Sequence, residues 1–116
     1  MKNILVVSHD PILRSTRVAL LKASGYEAEA AEDDNDALAR LEIVQFDVVL
    51  VGRRSDLSQK GIDQRVRERY PNILILMLER EEESPSVFAS RTIDPHPRLV
   101  LDALDAMLGQ NLQRNS

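Results

Sequence analysis

Six residues stand directly after the apolar stretches of this chain, at the places where chemistry is first expected. These residues are Ser8, His9, Asp10, Gly52, Glu79 and Asp94. Imidazole and carboxylate groups suit a transition metal, so His9 together with the acidic residues is one candidate metal site. However, Arg53 and Arg54 follow Gly52 and oppose a bound cation, and Asp10 suits a helix cap instead. We therefore expect neither a metal nor another cofactor.

Two further chemistries rest on the same part of the chain. Ser8 and His9 are adjacent, but a nucleophile and its base need a third group that orients the base, and the sequence offers none. Arg53 and Arg54 could hold an anion beside a strand end, as in a small-ligand site. This anion site stays open as an alternative.

The stretch Val48–Val51 indicates where these residues meet. It is apolar without any polar alternation and ends at Gly52, which is typical of a parallel strand covered on both faces. Ligands of such sheets bind just beyond the carboxyl ends of the central strands. The residue at that place is Gly52, which has no reactive side chain.

Strands and helices are predicted to alternate on both sides of this stretch. Ile4–Val7 predicts a strand, and Asp10 caps a helix over Pro11–Ser24 that stops at Gly25. The predicted inward residues of that helix are Leu13, Thr16, Leu20 and Leu21. Residues 26–30 alternate alanine or tyrosine with glutamate, which indicates a strand near a sheet edge.

The second half of the chain continues the alternation. Asp33 or Asp34 caps a second helix, and Pro71 ends a third. The predicted inward residues of these two helices are Ala37, Leu38, Leu41, Ile62, Val66 and Tyr70. Ile73–Leu78 and Val87–Ile93 are predicted strands, and a last helix follows. Its predicted core residues are Leu99, Val100, Ala103, Leu104, Met107 and Leu108.

Length, composition and charge limit the class of protein. The 116 residues are 43% hydrophobic and 29% charged, which predicts one globular domain over residues 1–108 and a polar tail over residues 109–116. The net charge of -4 and the lack of tryptophan argue against a nucleic-acid partner. Cysteine is absent, and no apolar run is long enough to span a membrane. We expect a cytoplasmic protein without membrane association.

Several short motifs also follow one another in a defined order. They are Ile4-Leu5-Val6-Val7, Asp10-Pro11-x-Leu13-Arg14, Gly25-Tyr26, Ala31-x-Asp33, Ala37-Leu38, Asp47-Val48-Val49-Leu50, Tyr70-Pro71 and Asp94-Pro95. No single motif is specific, but the ordered set resembles the response-regulator receiver domain (CheY-like) from Ile4 to about Leu108. This resemblance implies an α/β fold of the flavodoxin-like type, with a doubly wound five-stranded parallel sheet in a (βα)5 order.

The resemblance also implies a phosphorylation pocket, from which this sequence departs. The family holds Mg²⁺ with two adjacent acidic residues after the first strand, where this chain has Ser8 and His9, followed by Asp10. The aspartate that accepts the phosphoryl group corresponds to Gly52. Because an acyl phosphate needs a carboxylate nucleophile and a metal held by oxygen ligands, these departures predict a loss of phosphorylation.

The remaining pocket positions depart as well. Glu79 replaces a threonine or serine, Asp94 replaces a lysine, and Arg91 replaces an aromatic switch residue of the family. The two carboxylates would repel a phosphoryl group. Arg53 and Arg54 could instead pair with them, which would turn a ligand-bridged site into a permanent internal one.

These departures predict a phosphorylation-independent pseudo-receiver that acts in signal transduction by protein-protein interaction. Such a domain is expected to have no enzyme activity, and its partner is another protein or a second copy in a homodimer. The alternative is a phosphoacceptor receiver, with autophosphatase activity, that uses Asp10 or Asp56. Asp56 lies four residues beyond Gly52, where aspartates commonly form turns.

The segment before the last predicted strand is short. Residues 79–86 are all that separate the fourth strand from the fifth, whereas a parallel crossover usually needs a dozen or more residues. The fourth helix is therefore predicted to be shortened or missing, which would uncover an apolar interaction face. The residues of this predicted face are Val87, Phe88, Arg91, Ile93 and Arg98. The resemblance further implies a cis peptide bond at Asp94-Pro95.

Overall fold

The computed structural model describes residues 2–52, 62–78, 90–93 and 96–109, with positions 91 and 92 described by their backbone alone. Within these ranges strands and helices alternate almost throughout. In chain order they are β1 (Asn3–Val7), α1 (Pro11–Ala23), β2 (Glu27–Ala31), α2 (Asp34–Ile43), β3 (Val48–Val51), α3 (Ile62–Arg69), β4 (Leu74–Leu78), β5 (Arg91–Ile93) and α4 (Pro97–Leu108).

The strands form one parallel sheet in the order β2-β1-β3-β4-β5. Val48 of β3 pairs with Ile4 of β1 on one side and with Leu74 of β4 on the other. All four residues of β3 are buried, as expected for a strand covered on both faces. The prediction that Val48–Val51 is the central strand is confirmed, and β2 lies at an edge as its alternating glutamates indicated.

Helices cover both faces of the sheet because successive strand residues point to opposite sides. On one face, Ile4 and Val48 belong to a buried cluster with residues of α1 and α4. On the other face, Leu5 and Val49 belong to a cluster with residues of α2 and α3. The predicted α/β fold with a parallel sheet is therefore confirmed, and it is doubly wound.

Helix α1 begins and ends as predicted, and of its predicted inward residues Leu21 is buried and Leu20 is half-buried. Its N-cap Asp10 accepts hydrogen bonds from the next two free amides, and Gly25 just past its end has a φ of 96°. Leu13 and Thr16 are exposed, so their assignment to the core was wrong. The inward stripe instead follows Arg14, Arg17, Val18 and Leu21, which have the spacing of one helical face. Two of these four residues are arginines, which a pattern of apolar residues does not include.

The inward residues of α2 and α3 agree with the sequence prediction. Asp33, not Asp34, is the N-cap of α2, and its carboxylate accepts from the amide of Asp36. The predicted residues of both helices are buried or packed against the core, namely Ala37, Leu38, Leu41, Ile62, Val66 and Tyr70. Asp63, in the first turn of α3, is also buried, which its polarity did not indicate.

Arg67 of α3 binds the segments on either side of β4. Its Nη1 donates to the carbonyls of Pro71 and Ile73 at 2.7 and 2.8 Å, and its Nη2 donates to Ser90 Oγ at 3.2 Å. The backbone of Ser90 in turn donates to the carbonyl of Ile75 at 2.8 Å. One guanidinium thus connects the end of α3, β4 and the residue that precedes β5.

Helix α4 packs on the same face of the sheet as α1. Val100, Ala103 and Leu104 are buried as predicted, and Met107 and Leu108 pack against the same cluster. Leu99 is 44% exposed, so its assignment to the core was wrong, because it lies beside the inward stripe of the helix.

One buried hydrogen bond joins α4 to the start of β2. The hydroxyl of Tyr26 donates to Oδ1 of Asp105 at 2.6 Å, and both side chains are buried. An aspartate in the inward half of α4 is thus accommodated by a hydrogen-bond donor from the sheet edge.

Some predictions concern residues outside the described ranges. The described part of the last strand covers Arg91–Ile93, preceded by Ser90, which is not in the strand. Positions 87–89 of the predicted strand, the segment over 79–86, the Asp94-Pro95 bond and the tail from position 110 lie outside the description. None of the helices in the described ranges has the length and apolar character that crossing a membrane requires.

Candidate functional site

The candidate site lies at the carboxyl edge of the sheet, where β1 and β3 end side by side. Val7 and Val51 are paired, and the amide of Gly52 donates to the carbonyl of Val7 at 3.0 Å. The amide of Ser8 donates to the carbonyl of Ala31 at 3.2 Å. The sheet thus brings the two predicted positions Ser8 and Gly52 together at the place where ligands of parallel sheets bind.

Ser8 is buried and supports the turn between β1 and α1. Its Oγ accepts from the amide of Asp10 at 3.2 Å, and its carbonyl accepts from Arg14 Nη1 at 2.9 Å. These hydrogen bonds give Ser8 a structural role, because its two oxygen atoms accept from the amide of Asp10 and from the side chain of Arg14.

His9 and Asp10 follow on the solvent side of this turn. Both are exposed, and Oδ1 of Asp10 accepts from the amides of Ile12 and Leu13 at 2.8 and 3.2 Å. Among the described residues, no three histidine or acidic side chains come together as metal ligands. Glu79 and Asp94, like the neighbours Arg53 and Arg54, lie outside the described ranges.

Arg17 covers Gly52. A Cβ atom added to Gly52 would lie 2.9 Å from Arg17 Nη1, 3.5 Å from the carbonyl oxygen of Val7 and 3.8 Å from Ser8 Oγ. This guanidinium is the end of a flexible side chain, so it contacts Gly52 closely and would have to shift to admit a side chain there. The strand end therefore presents a cation in place of a carboxylate.

The surroundings of Arg17 affect its charge in opposite ways. Burial lowers the pKa of Arg17 below its ordinary value, because a charged guanidinium loses hydration at the strand end. The carboxylate of Asp10 opposes this lowering of the pKa. The site thus joins a half-buried cation to the acidic cap of the same helix, and it is the cation of this pair that lies against Gly52.

The importance of Arg17 was missed from the sequence. Its position, four residues before Leu21 and one turn after Arg14, is the signal that could have revealed it, because these residues share the inward face. Arg14 and Arg17 were passed over since arginines usually lie on solvent-exposed faces.

The predicted interaction residues are described only in part. Ile93 is half-buried against the core, and Arg98 is exposed at the start of α4. Val87, Phe88 and the side chain of Arg91 lie outside the description. Large apolar side chains that are exposed in the described ranges include Ile12, at 76%, and Leu99, at 44%.

A groove lies at the opposite, amino-terminal end of the sheet. It has a volume of about 700 Å³ and lies between the connection from α2 to β3 and the connection from α3 to β4. Ile43, Phe46 and Tyr70 contribute apolar surface, and Arg69 forms an ion pair with Glu42 at its rim. The groove is separate from the strand-end site.

No protein-family model matches the chain, and no curated protein sequence matches it significantly. Solved structures do match. The Vibrio cholerae chemotaxis protein CheY4 is 27% identical, with a TM-score of 0.78, and the match covers 91% of this chain and 98% of that one.

Two further matches involve the response regulator TrrA of Thermotoga maritima, with TM-scores of 0.76. Its complex with Mg²⁺-BeF is 20% identical, and the match covers 95% of this chain and 98% of that one. In its complex with the histidine kinase ThkA, the match is 22% identical over 95% of this chain and 97% of that one. The structural neighbours of this chain are thus CheY-like response-regulator receiver domains.

Proposed function

We propose that this chain is a pseudo-receiver of two-component signalling, which acts by protein-protein interaction and accepts no phosphoryl group. The likeness of its fold to receiver domains supports the signalling role. The residues at the carboxyl edge of its sheet support the loss of phosphorylation.

The observation that carries this proposal is the contact between Gly52 and Arg17. A receiver forms an acyl phosphate on a carboxylate, with a hard cation bound by further oxygen ligands. By the resemblance, the acceptor position is Gly52 and the metal positions are Ser8 and His9, none of which is acidic. The 2.9 Å distance from a Cβ at position 52 to Arg17 Nη1 puts a guanidinium at the acceptor position. At these three positions the sequence supplies neither a carboxylate nucleophile nor an acidic metal ligand.

The alternative acceptors are Asp10 and Asp56. Oδ1 of Asp10 accepts two amides at the start of α1, and no described group of three metal-ligating side chains includes this residue. An acyl phosphate on Asp10 would have to form without such a metal site and would compete with helix capping. Asp56 lies outside the described ranges and is tested by the same experiment.

The experiment is a phosphodonor assay on the wild-type chain. The protein is incubated with Mg²⁺ and acetyl phosphate, and separately with beryllofluoride, while intact mass and amide NMR shifts are recorded. We expect no added phosphoryl mass and no Mg²⁺-dependent shifts at Ser8 or Gly52. A receiver domain that carries the acidic residues serves as the positive control. A saturable adduct on Asp10 or Asp56 would contradict the proposal.

The proposed partner is a protein, by analogy with TrrA, which was solved together with a histidine kinase. Besides the predicted face with Phe88, the described surface offers exposed apolar side chains at the starts of two helices, Ile12 in α1 and Leu99 in α4. Both helices pack on one face of the sheet, and both begin at its carboxyl edge. Arg98 adds a positive charge beside Leu99. Such an apolar surface with a charged rim suits a protein partner.

A further inference from the structure

We propose that Arg17 is an internal cation that keeps the strand-end pocket closed to metal ions, so that restoring the missing acidic residues would not by itself restore the pocket. This inference rests on the proposed function and names the residue that maintains it. At these positions the chain has no acidic residue, and a guanidinium lies against position 52.

Arg17 lies directly against Gly52. Gly52 is buried, and the space above its Cα contains Arg17 Nη1, 2.9 Å from the position of a Cβ. A side chain at position 52 would have to shift this guanidinium, which is the far end of a flexible side chain and moves at little cost. The other neighbours of that Cβ, the Val7 carbonyl and Ser8 Oγ, lie at 3.5 and 3.8 Å, in ordinary contact. Arg17 is therefore the charged group that a side chain at position 52 would meet first.

The charge of Arg17 also affects what position 52 can bind. A carboxylate introduced at position 52 would begin next to a half-buried guanidinium, and such a pair is favourable because little water separates the charges. A metal ion that approached the same carboxylate would lose this partner to Arg17 and would be repelled by its charge. Arg17 thus competes with Mg²⁺ for any acidic residue placed there.

Arg17 is held in place by its position on α1 and by a neighbouring charge. It lies on the inward stripe of α1, between Arg14 and Leu21, and Leu21 is fully buried. Asp10 at the start of the same helix provides a favourable charge for the guanidinium. Arg14 lies one turn away and donates to the Ser8 carbonyl, so the two arginines have different contacts and can be separated by mutation.

The first test compares two variants of the full chain. One carries Ser8→Asp, His9→Asp and Gly52→Asp, and the other carries the same three changes with Arg17→Met, which keeps an unbranched apolar stem without the charge. Mg²⁺ binding is measured by isothermal titration calorimetry. We expect about tenfold tighter binding with methionine at position 17, the equivalent of removing one competing charge pair. Equal affinities would overturn the proposal.

The matched control is Lys22→Met in the same triple background, because Lys22 is exposed in the last turn of α1, away from the strand end. It removes one positive charge from the same helix but leaves the guanidinium of Arg17 above position 52. We expect it to change Mg²⁺ affinity by no more than about twofold. A gain as large as that of Arg17→Met would show a general charge effect and overturn the specific role of Arg17.

A second measurement avoids the heavily substituted chain. Gly52→Asp is made alone and together with Arg17→Met, and the pKa of the introduced carboxyl group is followed by carbon-13 NMR. With arginine at position 17 this pKa is expected to be lower by about one unit, because an adjacent cation favours the charged carboxylate. Equal pKa values in the two variants would overturn the proposal. Phosphorylation of the wild-type chain would instead contradict the proposed function, so the two failures are distinguishable.

Discussion

At the scale of single residues, the least expected feature is that polar side chains lie on inward positions of the helices. Arg17, Asp63 and Asp105 all lie on helix faces that point to the sheet, and two of them are buried. Polar type usually indicates a solvent-exposed position, so none of the three was expected from the sequence. The partner of Asp105 is Tyr26, 79 positions away, which no local pattern encodes. The capping role of Asp10, which needs only its own helix, was predictable.

Gly52→Asp alone is expected to leave the chain without phosphorylation. The introduced carboxylate would meet Arg17, and Ser8 and His9 still offer poor ligands for Mg²⁺. Intact mass after incubation with acetyl phosphate and Mg²⁺ should equal that of the untreated variant, with the wild-type chain as the control. Stoichiometric phosphorylation of this variant would mean that the acceptor position is still functional.

Tyr26→Phe is expected to lower the free energy of unfolding by about 1 to 3 kcal/mol, because it removes a donor from a buried carboxylate. The lost bond is the 2.6 Å contact from the Tyr26 hydroxyl to Asp105. Chemical denaturation by urea measures the change. Tyr70→Phe, at a half-buried tyrosine outside this pair, is the control and should cost less. A similar loss in both variants would argue against a special role for the pair.

At the scale of elements, the positions of helices and strands were predictable, but the burial of their faces was less so. The bounds of α1 follow from Asp10, Pro11 and Gly25, whose preferences are local. Its buried face was predicted only in part, since Leu21 is buried but Leu13 is exposed and Arg17 lies on the inward stripe. The face of α4 was nearly right because five of its six assigned residues are apolar and packed. A pattern of apolar residues does not predict the inner face of a helix when arginines lie on that face.

Arg67→Met is expected to destabilise the fold by about 1 to 3 kcal/mol, since it leaves carbonyl groups without a donor. The wild-type guanidinium donates to Pro71, Ile73 and Ser90, which connect α3 with β4 and β5. Urea denaturation gives the change in unfolding free energy. The matched control is Arg65→Met, whose surface ion pair with Asp34 is long, at 4.0 Å, and is expected to contribute about 0 to 1 kcal/mol. Equal losses would contradict a connecting role for Arg67.

At the scale of the whole molecule, the apolar runs largely determined the architecture. Val48–Val51 and Ile4–Val7 are apolar on both faces, which requires a parallel sheet between two layers of helices. Ser8 and Gly52 lie close together at the carboxyl edge of the sheet, where the ends of two central strands bring them. The residue that covers Gly52 could not be predicted, because Arg17 lies in the middle of α1 and does not follow a strand.

The oligomeric state of the chain is expected to be the same with and without Mg²⁺ and beryllofluoride, because the pocket lacks the residues that would bind them. Sedimentation velocity at several protein concentrations measures this. A receiver domain with an intact acidic pocket, treated in the same way, is the control. A shift in sedimentation coefficient on adding beryllofluoride would contradict a phosphorylation-independent domain.

Phe88→Asp is expected to weaken self-association of the chain by about tenfold, as for the loss of one apolar anchor in an interface. The thermal unfolding midpoint, measured in parallel, should remain close to that of the wild-type chain. Ile43→Asp is the matched control, because Ile43 is 83% exposed at the opposite end of the sheet. If Ile43→Asp weakens self-association and Phe88→Asp does not, the interaction face lies at the amino-terminal end of the sheet, and the prediction is wrong.

The hydrogen bond between Tyr26 and Asp105 also bears on how the chain folds during synthesis. It joins residues 79 positions apart, and its acceptor lies on α4, which leaves the ribosome after every strand of the sheet. Until then Val100, Ala103 and Leu104 are missing from the cluster that covers one face of the sheet. That face stays open to water, and to other nascent chains, while the rest of the domain already exists. This face of the sheet is therefore fully covered only after α4 has been synthesised.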